Sequence, residues 1–140
     1  MDLKQIYNEI LTEHNRHPEH FGVMENADLT LEGVNPSCGD DYTLMLKLSG
    51  DGTVEDGTFT GDGCAISKAS VDMMLDLVIG RPKEEALHLA EIFQNMIKGR
   101  ASEEEIEELE DAAILENVSH MPARVKCAVL GWHTIEQMLQ

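Results

Sequence analysis

The sequence predicts an α+β fold in which a small three-stranded antiparallel sheet packs against several helices. Residues 42–48 alternate between apolar and polar side chains, which is typical of a half-buried strand. The Gly-rich segment 49–52 that follows is typical of a hairpin turn, so the next strand should return antiparallel. From residue 65 onward, apolar side chains recur at helical spacing.

The middle strand is the most clearly patterned of the three. Tyr42, Leu44 and Leu46 would lie on one face of the sheet, because side chains alternate along a strand. Val54 and Phe59 are the apolar members of the returning strand. The strands are predicted over residues 29–34, 42–48 and 53–60.

Helix boundaries follow from capping and breaking residues. Asp2 can cap the first helix and Pro18 ends it, while Gly80 ends the second. Ser102 opens a capping box, and Pro122 suits the first turn of the last helix. The helices are predicted over residues 2–17, 65–79, 82–99, 102–111 and 122–139. The helix over 102–111 is strongly acidic, as a solvated face or a docking surface for a basic partner would be.

Length and charge limit the classes of function. The chain of 140 residues is expected to form one domain, 1–140, with a net charge of −17. That charge disfavours nucleic acid and anionic membranes as partners and favours cations or basic proteins. The N-terminal residues do not resemble a signal peptide, and we find no apolar run long enough to cross a bilayer. A cytoplasmic protein with reduced thiols is therefore expected.

The three cysteines are the main chemical signal. An odd number in a reducing compartment favours metal binding or catalysis over disulfides. Cys38 lies in a turn-forming segment two residues before Asp40, Cys64 lies at a predicted helix start, and Cys127 follows Arg124 in the last helix. If these residues converge, three thiolates and one carboxylate would form a four-coordinate zinc site. The alternatives are an ordinary surface turn around Cys38 and a buried, inert Cys127.

The three cysteine segments resemble the motifs of the U-type iron–sulfur cluster assembly family. The order of the segments, the first spacing and the neighbouring residues all agree with that family, and the resemblance covers nearly the whole chain. The segments are Asn35-Pro36-Ser37-Cys38-Gly39-Asp40, Gly61-Asp62-Gly63-Cys64-Ala65-Ile66-Ser67 and Arg124-Val125-Lys126-Cys127-Ala128.

Within the family, the chain resembles the SufU branch. The scaffold branch carries histidine immediately before the third cysteine, where this chain has Lys126. The scaffold branch also has fewer residues between the second and third cysteines, so an acidic helical insertion is expected around 99–119. The resemblance implies Zn²⁺ as cofactor, with iron or a [2Fe–2S] cluster as the alternative. It implies Cys38, Asp40, Cys64 and Cys127 as the metal ligands.

The resemblance further implies sulfur transfer. The partner would be a PLP-dependent cysteine desulfurase of the SufS type, and a SufBCD-type scaffold is a candidate partner downstream. Cys38 is predicted to leave the metal and accept sulfur, because its turn is the most exposed of the three cysteine contexts. Asp40 would adjust as Cys38 leaves, and Arg124 would balance the negative charge.

Three alternatives stay open from the sequence. The same ligands could assemble a [2Fe–2S] cluster, or the chain could be a structural zinc domain used for interaction. A cysteine hydrolase would need Cys64 as nucleophile and a histidine as base. The candidate bases are His88, His120 and His133, of which His133 is predicted to lie on the exposed side of the last helix. His14, His17 and His20 are interpreted as surface histidines at a helix end rather than as metal ligands.

Overall fold

The computed structural model describes residues 3–37 and 39–140, and it confirms the predicted α+β class. Three strands form one antiparallel sheet in the order β1-β2-β3. The described helices include none that is both long enough and apolar enough to cross a membrane. The elements are α1 (Leu3–Arg16), β1 (Leu29–Asn35), β2 (Asp40–Leu48), β3 (Val54–Asp62), α2 (Ala65–Val78), α3 (Lys83–Ile97), α4 (Glu103–Glu107), a 3-10 helix (Glu110–His120) and α5 (Pro122–Leu139).

The sheet has the predicted alternation and is slightly longer than predicted. Leu44 is buried and pairs with Leu31 on one side and with Phe59 on the other. Strand β2 starts two residues earlier than expected, because Asp40 pairs with Asn35. This pair closes the first hairpin and brings Asp40 to the end of the sheet.

Met45 departs from the simple alternation. Alternation along the strand places Met45 on the face opposite Leu44 and Leu46, together with Thr43 and Lys47, yet its exposure is only 6%. The segment before β1 covers it, since the backbone N–H of Met24 lies 3.5 Å from the Met45 sulfur. The sheet is therefore partly covered on its second face as well.

Helices α2 and α5 carry most of the packing next to the sheet. Gly131 of α5 meets Val71 of α2 so closely that a Cβ atom would lie 2.8 Å from the valine side chain. Trp132 stacks on Phe93 of α3 with 4.1 Å between ring centroids, and its indole N–H donates to the Ser70 hydroxyl. This packing fixes the middle of α5 against the middle of α2 and against α3.

The region predicted as one acidic helix over 102–111 is different in the structure. The predicted capping box is present, since Ser102 and Glu105 exchange hydrogen bonds, but α4 ends at Glu107. The chain then turns at Glu110, which has a φ of 53°, into the 3-10 helix. The physical reason is that buried apolar residues recur every three positions in this segment, which matches the three residues per turn of a 3-10 helix. The buried residues of this period are Leu109, Ala112, Leu115 and Val118.

The prediction that His14 is a surface histidine is wrong, because its side chain is only 14% exposed. Its Nδ1 atom lies 2.7 Å from Oδ2 of the buried Asp72, and the backbone N–H of His20 donates to Oδ1 of the same carboxylate. His17, by contrast, is exposed as predicted. The sequence could not show that a carboxylate of α2 would meet the end of α1.

Candidate metal centre

Three elements meet at the candidate metal centre. Asp40 begins β2, Cys64 immediately precedes α2, and Cys127 lies in the first half of α5. Their carboxylate and thiol ligand atoms all lie within 4.8 Å of one another. Cys38, the fourth predicted ligand, lies outside the described residues. The structure thus brings together the three predicted ligands that it describes.

Asp40 is fully buried, and its two oxygens have different surroundings. Oδ1 accepts hydrogen bonds from the backbone N–H of Cys64 and from the Ser67 hydroxyl, each at 3.0 Å. Oδ2 is buried and has no hydrogen-bond partner among the described residues. Burying a carboxylate oxygen without a partner is costly, so the arrangement fits a cation held at Oδ2.

Cys64 is the N-cap of α2. Its sulfur accepts a hydrogen bond from the backbone N–H of Ser67 at 3.4 Å. Burial by itself would raise the pKa of the Cys64 thiol, but hydrogen bonds from Ser67 and Cys127 outweigh burial and the pKa is lowered. A helix N-terminus therefore favours the thiolate here, as the sequence indicated.

Cys127 and Arg124 lie three residues apart on α5. The Cys127 side chain is buried, whereas Arg124 is exposed. The pKa of Arg124 is raised by the negative charge of Cys64 and by a hydrogen bond with Cys127. The guanidinium group of Arg124 therefore interacts with both thiols.

The donor set suits zinc. Thiolates and a carboxylate are ligands that Zn²⁺ takes in tetrahedral sites. Asp40, Cys64 and Cys127 supply two sulfurs and one oxygen from three different elements. The Oδ2 atom, which has no hydrogen-bond partner in the part of the chain that the structure describes, gives an independent, geometric reason for a cation at this place.

Sequence reasoning missed two residues that support Asp40. Tyr42 was interpreted only as a core residue, and Ser67 only as part of a motif. Their hydroxyl oxygens lie 2.9 Å apart in the interior, next to the Asp40 carboxylate. Burial raises the pKa of Tyr42, so its hydroxyl keeps its proton. The signal in the sequence is a tyrosine on the apolar face of a strand, because a buried tyrosine hydroxyl usually needs a hydrogen-bond partner.

The candidate bases for a hydrolase are occupied elsewhere or exposed. His88 lies 3.4 Å from Glu108, and His133 lies 3.9 Å from Glu136. His133 is on the exposed side of α5, as predicted, and His120 is exposed at the end of the 3-10 helix. None of these placements supports pairing with Cys64.

A second group of ligand atoms lies near the end of α1. Atoms of Glu19, His20 and Asp76 lie within 4.8 Å of one another. Glu19 is exposed, and the Asp76 side chain is 52% exposed. Exposed carboxylates are solvated without a metal, so this group lacks the buried, unpartnered atom that marks Asp40.

The sequence of the chain is similar to those of known iron–sulfur cluster assembly proteins. Residues 6–128 match the family model described as the NifU-like N terminal domain. The chain is 39% identical over 136 residues to the zinc-dependent sulfurtransferase SufU of Bacillus subtilis, covering 97% of this chain and 90% of that protein. It is 38% identical over 138 residues to the iron-sulfur cluster assembly scaffold protein IscU of Streptococcus pyogenes, covering 99% and 85%.

A solved structure shows the same fold. The crystal structure of a putative iron-sulfur cluster assembly scaffold protein for the SUF system from Fervidobacterium islandicum superposes with a TM-score of 0.89. That protein is 38% identical to this one, and the match covers 97% of this chain and 98% of that chain. The similarity therefore includes all the elements that hold the candidate ligands.

Proposed function

The chain belongs to the NifU-like N-terminal domain family, and on that premise we propose that it is a zinc-dependent sulfur acceptor in iron–sulfur cluster assembly. The sulfur donor would be a cysteine desulfurase of the SufS type. The proposed metal ligands are Cys38, Asp40, Cys64 and Cys127.

One observation carries the proposal. Asp40, Cys64 and Cys127 converge, and the Asp40 Oδ2 atom is buried without a hydrogen-bond partner among the described residues. Lys126 supports the SufU branch, because the scaffold branch is expected to use a histidine at that position. With lysine there, Asp40 is the natural oxygen ligand.

The chain's own residues prepare the site for thiolate chemistry. Zinc, when bound, would keep the ligating thiols deprotonated at neutral pH. The α2 N-terminus stabilises negative charge on Cys64, and Arg124 lies beside Cys64 and Cys127. Both contacts favour negative charge at the thiols, in a chain whose net charge is already −17.

Cys38 is the proposed acceptor. Its thiolate would attack the terminal sulfur of the desulfurase persulfide, and a new S–S bond would form on Cys38. The S–S bond of the donor breaks, and its electron pair leaves with the desulfurase cysteine as a thiolate. One sulfur atom moves and no external oxidant or reductant is needed.

The second candidate function is a cluster scaffold. It is favoured by the 38% identity to the Streptococcus pyogenes protein that is named as a scaffold. The identity to the Bacillus subtilis sulfurtransferase is 39%, which is nearly the same. Overall identity therefore does not separate the two functions. The metal that the protein carries and the fate of sulfur do separate them.

The test combines metal analysis with sulfur transfer. The purified protein is analysed for zinc and iron, then added to a SufS-type desulfurase with cysteine, and persulfide is detected on the chain by mass spectrometry. We expect about one zinc per chain, stimulated desulfurase turnover, and an added sulfur atom that Cys38→Ala abolishes. Ser37→Ala, in the adjacent turn position, is the control and should behave as the wild type.

Two results would overturn the proposal. A stable [2Fe–2S] cluster after anaerobic reconstitution, with no zinc on purification, would favour the scaffold. Full sulfur acceptance by Cys38→Ala would show that another thiol is the acceptor.

A further inference from the structure

We infer that Ser67 and Tyr42 are positioning residues that lock Asp40 in place and present its Oδ2 atom to the metal. The inference rests on the proposed metal site and adds two residues to it. It also replaces the expectation that Asp40 adjusts during sulfur transfer.

The contacts form a buried chain of hydroxyl groups. The Ser67 hydroxyl donates to Asp40 Oδ1 at 3.0 Å, and the Tyr42 hydroxyl lies 2.9 Å from the Ser67 oxygen. The Ser67 hydroxyl also lies 3.0 Å from the carbonyl oxygen of Cys64, so its single proton is shared between that oxygen and Asp40 Oδ1. With either acceptor, the hydrogen bond between Tyr42 and Ser67 has Tyr42 as its donor. Asp40 and Ser67 are both fully buried, and Tyr42 is 2% exposed, so water does not compete for these hydrogen bonds.

Both hydrogen bonds to Asp40 engage the same oxygen. The Cys64 backbone N–H and the Ser67 hydroxyl each approach Oδ1 at 3.0 Å. Rotation of the carboxylate would break both bonds at once in a buried site. Oδ2 is therefore held facing away from these donors, unpartnered among the residues that the structure describes. Asp40 is the rigid ligand, and any ligand exchange is assigned to a cysteine.

Gly63 provides the space in which the chain of hydroxyls converges. A Cβ atom there would lie 2.5 Å from Asp40 Oδ1, 2.5 Å from the Tyr42 hydroxyl and 2.6 Å from the Ser67 hydroxyl. All three oxygens thus pack over one glycine, directly before the Cys64 ligand. A pair of hydroxyl groups with a purely structural role would not need to pack against the residue that precedes a proposed metal ligand.

The test measures metal binding rather than activity. Ser67→Ala removes the donor to Asp40, and Tyr42→Phe removes the outer hydroxyl without changing the ring. The control Thr134→Val removes another buried hydroxyl, which donates to the Leu130 carbonyl on α5. Zinc dissociation constants are measured by chelator competition, the cobalt(II) derivatives by absorption spectroscopy, and the fold of each apoprotein by circular dichroism.

We expect Ser67→Ala to weaken zinc binding by about 10- to 100-fold, the range for outer residues that orient metal ligands. Tyr42→Phe should weaken it in the same direction but less, and both should shift the cobalt(II) d–d bands. Thr134→Val should leave affinity and spectrum unchanged. If the Ser67→Ala apoprotein does not fold, Tyr42→Phe alone decides.

Two outcomes would overturn the inference: wild-type affinity and spectra in the hydroxyl variants, or an equal loss in Thr134→Val. This failure differs from failure of the proposed function. A wild-type protein that binds zinc but accepts no sulfur would refute the function and leave the positioning role standing.

Discussion

Gly63 is the residue at which the candidate site depends most on the absence of a side chain. A Cβ atom there would lie within 2.6 Å of three oxygens, which belong to Asp40, Ser67 and Tyr42. The neighbouring Gly39 serves a different purpose, since its φ of 73° is a backbone shape that other residues adopt at a cost. The cysteine motifs thus include glycines for two separate physical reasons.

Gly63→Ala should therefore be more damaging than an ordinary glycine substitution. The added methyl group must displace Asp40, Tyr42 or Ser67, which should cost about 1–3 kcal/mol in the free energy of unfolding and weaken zinc binding. Urea unfolding of the apoprotein and chelator competition measure the two effects. Gly50→Ala is the matched control, because a Cβ atom there meets no heavy atom within 4 Å. Equal effects of the two substitutions would contradict the crowding argument.

The candidate ligands and their support differ in how well the sequence indicates them. Cys64, Cys127 and Asp40 stand in recognisable motifs, so a pattern of neighbours is enough to select them. Tyr42 fits the apolar alternation of its strand, and that pattern hides its hydrogen bond to Ser67. Its role depends on a partner 25 residues away, which no local pattern contains.

At the scale of elements, a buried histidine–aspartate pair connects α1 to α2. His14 contacts Asp72 at 2.7 Å, and the Asp72 side chain is 1% exposed. The hydrogen bond to Asp72 raises the pKa of His14, burial opposes it, and the charges of Asp72, Asp76 and Asp111 add to the increase. The stability that protonated His14 contributes is therefore fully present below its unfolded pKa of about 6.5 and is lost as pH rises through the folded-state pKa.

His14→Ala should leave the Asp72 carboxylate without its charged partner and cost about 3 kcal/mol at about pH 6. The cost should be smaller at about pH 9, because the wild type has then lost the charge on His14. Urea unfolding at both pH values measures the difference. The exposed His17→Ala is the control, and we expect it to be nearly neutral. A cost that does not depend on pH would show that His14 acts through packing alone.

The acidic segment after α3 shows why an element can be misjudged from sequence. The capping box at Ser102 is local and was predicted, and it is present. The end of α4 and the 3-10 helix depend on burying residues at a spacing of three. The insertion around 99–119 stays a prediction.

At the scale of the whole molecule, the metal would join three elements that are distant in sequence. Through it, Asp40 at the start of the central strand would be connected to Cys64 just before α2 and to Cys127 in the first half of α5. A ligand that binds only the folded state stabilises it by an amount set by its concentration relative to its dissociation constant. Zinc would also reduce the net negative charge that Asp40 and the thiolates concentrate in one place.

Zinc should therefore raise the melting temperature of the chelator-treated protein. At 100 times the dissociation constant the stabilisation is about 2.7 kcal/mol, or several degrees for a chain of this size. Asp40→Asn should greatly reduce the increase, whereas Asp62→Asn, at the exposed end of β3, should retain it. Differential scanning calorimetry with and without zinc measures both. An unchanged increase in Asp40→Asn would remove Asp40 from the proposed ligands.

Local patterns in the sequence are sufficient for the fold class, for most helix and strand positions and for the three cysteine motifs. Periodicity, capping residues and motif spacing all involve near neighbours, so they can be read without knowing the fold. The tertiary structure alone decides which Asp40 oxygen has no hydrogen-bond partner among the described residues and that Ser67, itself bonded to Tyr42, donates to the other oxygen. It also decides that His14 is buried against Asp72. These contacts join residues 25 to 58 positions apart, and they exist only after the sheet and the helices have packed together.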